Sequence, residues 1–241
     1  MTESTKRRVL ITGAGGRIGS HLATTLQDRY SLRLQYHQSI PDQPQVADWV
    51  RADIAEYDQI APAMEGIDAV IHMAGEPSPS ATWDEVHTAN IIGTRNVYEA
   101  ARAAGVRKVI LASTNHVMGF YDRDGEWPIY VSQEVRPDSL YGVSKAFGEV
   151  LGRYYADQHG LAVICLRIGW FLEKPHDDFS RWSWLSERDC TQIVWRALET
   201  DKLFGIYYAI SNNGGRHWDL THTIEGLGYR PEDDGELADI P

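Results

Sequence analysis

The chain has 241 residues, 43% of them hydrophobic, and a formal net charge of −11. That size and apolar content support a folded core and exclude wholesale disorder. The acidic balance excludes nucleic acid as the main partner, because phosphate binding requires clustered Lys and Arg.

In chain order, Arg8–Thr12 (RVLIT) predicts a first strand that ends in a glycine cluster. The segment Ile18–Leu26 then repeats apolar residues at helical spacing. Ser31–Tyr36 and Val50–Asp53 predict strands, a helical stretch precedes Gly66, and Asp68–Ala74 (DAVIHMA) predicts a buried strand. A long helix is expected from Glu85 to about Ala104. After it come a strand at Val109–Ser113, a helix at Tyr141–Gln158 and strands at Leu161–Ile168 and Gly205–Ile210.

Alternating β and α, with strands apolar throughout, predicts an α/β fold: a doubly wound parallel sheet covered on both faces. The whole chain, 1–241, is expected to form one such domain, with 169–241 supplying substrate-covering loops and a small C-terminal part. Asp122–Pro137 and Gly169–Leu185 break the alternation and are aromatic-rich. Each follows a strand's carboxyl end or a turn beyond it, where such sheets bind ligands, so these loops are candidate substrate covers.

Cys165 and Cys190 show no zinc or redox spacing. The neighbours His176, Asp177 and Asp178 lack helical ligand spacing, so no metal site is expected. With no disulfide framework, a cytoplasmic location is expected. The opening MTESTKRRVLITG carries too short an apolar run for a signal peptide, and no stretch approaches a membrane span. The acidic run Pro231–Glu236 reads as a solvated tail.

TGAGGRIG follows the first strand and opens the first helix, with Gly13, Gly16 and Gly19 at G-x-x-G-x-x-G spacing. Small residues there let backbone approach a pyrophosphate, and the helix amino terminus supplies free N–H groups and partial positive charge. NAD or NADP is therefore the expected cofactor. The second strand ends QYHQ, without the carboxylate that would hold ribose hydroxyls and repel a 2′-phosphate. That favours NADP and leaves NAD open; Arg17 is a candidate source of positive charge for the phosphate.

SLYGVSKAFGE (139–149) places Tyr141 and Lys145 one turn apart on one helix face, after a strand ending in Ser113 and Thr114. The combination resembles the short-chain dehydrogenase/reductase superfamily, in its extended, NAD-dependent epimerase/dehydratase-like branch, over nearly the whole chain. TGAGGRIG resembles its glycine loop, RADI (51–54) its adenine-contacting motif, and IHMAG (71–75) its fourth-strand motif. NIIGTRNVYEAAR (90–102) resembles its N-x-x-G-T-x-N helix, and YGVSK its Y-x-x-x-K motif.

The resemblance implies a Rossmann-type fold, with Tyr141 as the base that deprotonates a substrate hydroxyl. Lys145 would favour the phenolate and touch the nicotinamide ribose, and Thr114 would hold the reacting oxygen. Cofactor contacts are implied at Gly13, Gly16, Arg17, Ile18, Gly19, Asp53, Ile54, Ala74, Gly75, Asn90 and Ile168, beside Tyr141 and Lys145. Within the branch, ASTNHVMGFY (112–121) and RPDSLYGVSKAFGE (136–149) are most similar to bacterial uronate dehydrogenases, which oxidise the anomeric carbon of a hexuronic acid.

On that likeness Ser78, Asn115, His116, Trp170 and Arg181 are candidate substrate contacts. Trp170 stands where those enzymes have a small serine, and Arg181 lies two residues past their carboxylate-binding arginine. A free sugar, a sugar acid and a sugar phosphate all stay open as substrates. So do two other readings: an epimerase or dehydratase that retains NAD, and a non-catalytic cofactor sensor. A homodimer through the helices near 85–104 and 141–158 is implied by resemblance alone.

Overall fold

The computed structural model describes residues 6–38 and 48–238. Its strands are β1 Arg8–Thr12, β2 Ser31–Tyr36, β3 Trp49–Arg51, β4 Ala69–His72, β5 Lys108–Thr114, β6 Ala162–Ile168, β7 Trp170–Phe171, β8 Trp184–Leu185 and β9 Phe204–Ala209. Its α-helices are α1 Arg17–Leu26, α2 Tyr57–Ile60, α3 Trp83–Val86, α4 Gly93–Ala103, α5 Gly119–Arg123, α6 Leu140–His159, α7 Asp178–Ser183, α8 Glu187–Glu199 and α9 Thr221–Leu227.

The main sheet runs β3-β2-β1-β4-β5-β6-β9, with every pairing parallel. The continuous apolar strands explain this, since both faces are covered. Val9, Ile11, Ile110 and Ile164 face one layer, where Leu22, Leu26, Ile193 and Val194 of α1 and α8 pack. Leu10, Val70, Val109, Leu111 and Val163 face the other, against Val97, Tyr98 and Tyr155 of α4 and α6. Each such aliphatic side chain, fully buried, contributes roughly 1.5–3 kcal/mol. Strand order reverses between β1 and β4, and that switch point opens a crevice at the strands' carboxyl ends.

The expected long helix over Glu85–Ala104 is instead three joined pieces: α3, a π-helical turn at His87–Ile92, and α4. Thr82 starts it with a capping box, its hydroxyl accepting from Glu85 N–H and the Glu85 carboxylate accepting from Thr82 N–H. The wide π turn carries the buried Asn90.

Helix α6 begins at Ser139, whose hydroxyl accepts from Gly142 N–H, and ends at Gly160 with φ 69°. It lies close to its neighbours through glycines. A Cβ at Gly148 would sit 3.1 Å from Leu111, and one at Gly152 would sit 2.7 Å from the Tyr98 hydroxyl and 2.8 Å from Val163.

The Gly169–Leu185 loop contains structure of its own. β7 pairs with β8, and between them Asp177 caps α7 by accepting from Ser180 N–H at 2.7 Å. The Asp122–Pro137 loop is pinned at Ile129 to Trp218, over a small cluster that includes Val117, Met118 and Tyr208.

The acidic run Pro231–Glu236 is not the solvated tail expected. Asp233 accepts from Arg188 and Ser186, Asp234 accepts from Gly214 N–H, and Asp189 accepts from the N–H groups of Glu232 and Asp233. Its carboxylates fasten it to α8 and to the loop after β9. Among the described residues, no helix is long and apolar enough to cross a membrane.

Candidate active site

The glycine loop leaves β1 at Thr12 and turns at Gly13 with φ 66°, in the left-handed region. A Cβ there would sit 2.6 Å from Ala74 N, so only glycine lets the loop lie against the end of β4. Gln35 holds it from behind: its Oε1 accepts from Gly13 N–H at 2.9 Å while its Nε2 donates to Ala52 O at 2.6 Å. This clamp was missed by sequence reasoning; its signal was a glutamine inside an otherwise apolar strand.

Two cavities meet at this loop and share Gly13, Gly16, Met73, Gly75 and Glu76. The outer, about 760 Å³, is lined further by Gln35, His37, Asp53, Ile54 and Ala74. The inner, about 530 Å³, is lined by Arg17, Ile18, Gly19, Thr114, Tyr141, Lys145, Ile168 and Trp170. Together they form a groove across the switch point, lined by Gly13, Gly16 and Gly19, and the residues fit an extended dinucleotide. Bound there, a nicotinamide dinucleotide would supply the hydride acceptor.

The expected cofactor residues lie in these walls, with one exception. Asn90 stands behind them. Its Nδ2 donates to Glu76 O at 3.0 Å and to Ser144 Oγ at 2.9 Å, while its Oδ1 accepts from Glu76 N–H at 2.8 Å. Asn90 thus braces the loop after β4 against α6. Arg17 is on the inner side, its Nη1 donating to Phe171 O at 3.4 Å, away from the end of β2. At that end His37 Nε2 lies 3.6 Å from Asp53 Oδ2.

Tyr141 and Lys145 project from the first two turns of α6 into the inner cavity. Lys145 Nζ lies 5.8 Å from the centroid of the Tyr141 ring. Gly75 lies against the Asn90 amide, where a Cβ would sit 2.6 Å from Oδ1, and the 3.4 Å from that Cβ to Lys145 Nζ would be an ordinary contact. Burial pushes Lys145 down to about 8.

The expected acidification of the phenol is absent from the protein alone. Burial pushes Tyr141 above its ordinary value, the Thr114 hydroxyl draws it back, and the Glu76 carboxylate raises it further. The rise follows from desolvation of the phenol, which the Thr114 hydrogen bond offsets only in part. His72 adds no acid: burial first, then the charge of Lys145, push it down to about 3. Its ring bonds Thr12 Oγ1 at 2.8 Å and Thr94 Oγ1 at 3.2 Å.

Thr114 ends β5. Its hydroxyl accepts from His116 N–H at 3.2 Å and donates to Asn115 Oδ1 at 3.3 Å. Asn115 and His116 follow in a 3₁₀ turn, with the His116 ring edge-on to Tyr141 at 5.9 Å between centroids. Trp170 packs edge-on to His176, 5.0 Å between centroids.

Four expected substrate contacts, Ser78, Asn115, His116 and Arg181, are outside the walls of both cavities, and of the five only Trp170 lines one. Ser78 bonds Ser80 at the surface, Oγ to Oγ 2.8 Å. Arg181 turns its Nη1 to Glu236 Oε2 at 3.7 Å, because the fastened acidic run offers a carboxylate nearer than the crevice.

A profile of the NAD dependent epimerase/dehydratase family matches residues 9–171. The chain belongs to that family. It is 41% identical over 250 residues to an L-arabinose 1-dehydrogenase (NAD(P)(+)) of Haloferax volcanii, covering 94% of this chain and 96% of the relative. It is 36% identical over 240 residues to a uronate dehydrogenase of Pseudomonas syringae pv. tomato, covering 98% and 86%. A solved uronate dehydrogenase of Agrobacterium tumefaciens, a mutant complexed with NAD, superposes with a TM-score of 0.89 at 30% identity, covering 96% of this chain and 87% of that one. The chain is an NAD(P)-dependent dehydrogenase of the short-chain type, built on the fold that the strand pattern predicts.

Proposed function

We propose that this enzyme oxidises the anomeric hydroxyl of a free sugar or sugar acid to a lactone, with NAD or NADP as oxidant. The observation that carries this reading is the convergence of the Tyr141 and Thr114 side chains on one cavity floor, beside the glycine cradle. Tyr141 would take the proton of the substrate hydroxyl held beside Thr114, and a nicotinamide dinucleotide bound along the glycine loop would supply the acceptor for the hydride of the same carbon. The proton then passes to solvent, so each turnover yields one reduced cofactor and one proton. Lys145 keeps a positive charge beside the phenol as it loses its proton. Relatives named for L-arabinose, glucose-6-phosphate and uronate support a sugar-type substrate.

The missing carboxylate at the end of β2 favours NADP without excluding NAD. Arg17 lends that preference no weight, because it sits at the other cavity. A cytoplasmic site of action fits the two buried free cysteines.

The test is a panel of aldoses, uronates and sugar phosphates with each cofactor, followed at about 340 nm where reduced nicotinamide absorbs. Net reduced cofactor from a free sugar is expected, and its absence at steady state points instead to an epimerase that retains NAD. Tyr141→Phe should cut turnover by about a thousandfold while cofactor affinity changes less than about threefold. Surviving turnover would overturn the mechanism.

We also propose a homodimer through α6. Leu140, Val143, Phe147, Val150 and Tyr154 stand exposed by 37–70% at alternating spacings of three and four, an apolar stripe suited to a second helix. Sedimentation equilibrium giving a monomer at micromolar concentration would remove it.

A further inference from the structure

The 3₁₀ turn after β5 and the run before α6 are locked together at one pair of side chains. His116 Nδ1 lies 3.0 Å and 3.1 Å from the two carboxylate oxygens of Asp138. The backbone repeats the link, Asp138 N–H donating to His116 O at 3.3 Å, and Ser139 Oγ donates to Asp138 Oδ1 at 3.1 Å. Gly119 makes the seat: a Cβ there would overlap the Asp138 carboxyl group. Because the same run continues into Tyr141, the imidazole and the catalytic phenol are carried on one rigid unit.

This pairing dictates which ring nitrogen carries hydrogen. Burial pushes the Asp138 carboxyl up, but the hydrogen bonds from His116 and from the Ser139 hydroxyl help to overcome it and hold the group below its usual range. An ionised carboxylate only accepts, so Nδ1 must be the N–H, and a neutral imidazole then leaves Nε2 as a bare acceptor. Among the described residues Nε2 has no hydrogen-bond partner, and the side chain is 26% exposed beside the Tyr141 ring. A lone pair there attracts a hydroxyl and repels an anionic oxygen.

We propose that Asp138 is a positioning residue that fixes His116 as an acceptor, so that the substrate presents a neutral hydroxyl to Nε2 and a carboxylate or phosphate at that point is disfavoured. The proposal rests on the sugar-oxidation reading above. It is consistent with Arg181, the expected carboxylate partner, being turned to Glu236.

Three variants and one spectrum test it. Asp138→Asn keeps an acceptor for the Nδ1 hydrogen, and kcat/KM for the best sugar should stay within about threefold of the parent. Asp138→Ala frees the ring: KM should rise about tenfold, kcat should change less than about threefold, and preference for a neutral aldose over its uronate should fall about fivefold. In ¹⁵N-labelled protein at about pH 8, above the ordinary imidazole range of about 6.5, two-bond ¹H–¹⁵N spectra should show His116 with hydrogen on Nδ1. Assignment comes from the signal lost in His116→Gln, and Asp138→Ala should abolish that tautomer preference.

Hydrogen on Nε2 in the parent protein, or KM and sugar preference both unmoved in Asp138→Ala, would overturn the proposal. If no sugar is oxidised by the parent enzyme, the sugar-oxidation reading fails instead, and the spectrum still decides the tautomer.

Discussion

Two buried cations, one on helix α6 and one on the strand beneath it, are handled in opposite ways. Lys145 is 6% exposed and has no carboxylate partner among the described residues, and burial holds it down to about 8. Arg167, on β6, is 1% exposed, yet its Nε and Nη2 donate to Glu149 at 2.9 Å and 2.8 Å, and Ser113 Oγ donates to the same carboxylate at 2.6 Å. Burial opposes the arginine's charge, but the Glu149 bond and attraction overcome it and raise the guanidinium above its ordinary value. The paired cation belongs to the scaffold. The unpaired one sits in the crevice, where the proposed reaction calls for a positive charge beside the phenol. Local instability is concentrated where chemistry requires it.

That contrast can be broken at either end. The largest effect should follow from breaking the pair on one side: Glu149→Leu leaves a guanidinium buried alone and should cost about 3–5 kcal/mol of folding stability by urea denaturation. A cost under about 1 kcal/mol would mean Arg167 escapes to solvent. Replacing both partners, Glu149→Leu with Arg167→Met, should recover most of the loss.

Lys145→Met should do the reverse, gaining about 1–3 kcal/mol near pH 7 while abolishing turnover. The pH dependence has a definite sign. Below about 8 both folded and unfolded states hold the proton, and the full penalty is felt. Between about 8 and the ordinary 10.5 only the unfolded state holds it, so parent stability rises with pH and the gap to Lys145→Met narrows. A gap that widens across that window would show Lys145 to be paired in solution.

Features written in consecutive residues were legible before the fold was known. The span of β2, the glycine loop, the Tyr141–Lys145 pair and the parallel sheet followed from periodicity and spacing, because each depends on neighbours a few positions apart. The Gln35 clamp on Gly13, the Asn90 brace and the Asp138–His116 link did not. Each joins residues from different elements, and a glutamine or aspartate carries no periodic signal of its partner. The turn of Arg181 toward Glu236 was hidden for the same reason, since Glu236 lies 55 positions away and enters only through the packing of the C-terminal run. The upward push of burial on Tyr141 was not legible, because a sequence displays charges but not the solvent removed from around them.

The glycines along α6 give the reactive groups their depth. A methyl at position 148 or 152 would act as a shim beneath the helix, tilting its far end outward and withdrawing the phenol and ammonium from the crevice floor by a fraction of an ångström. Such a protein should lose stability, more at 152, where the methyl would overlap Tyr98 and Val163, than at 148. Its defect would surface as slow proton removal, a lesion of alignment carried by residues that touch neither cofactor nor sugar.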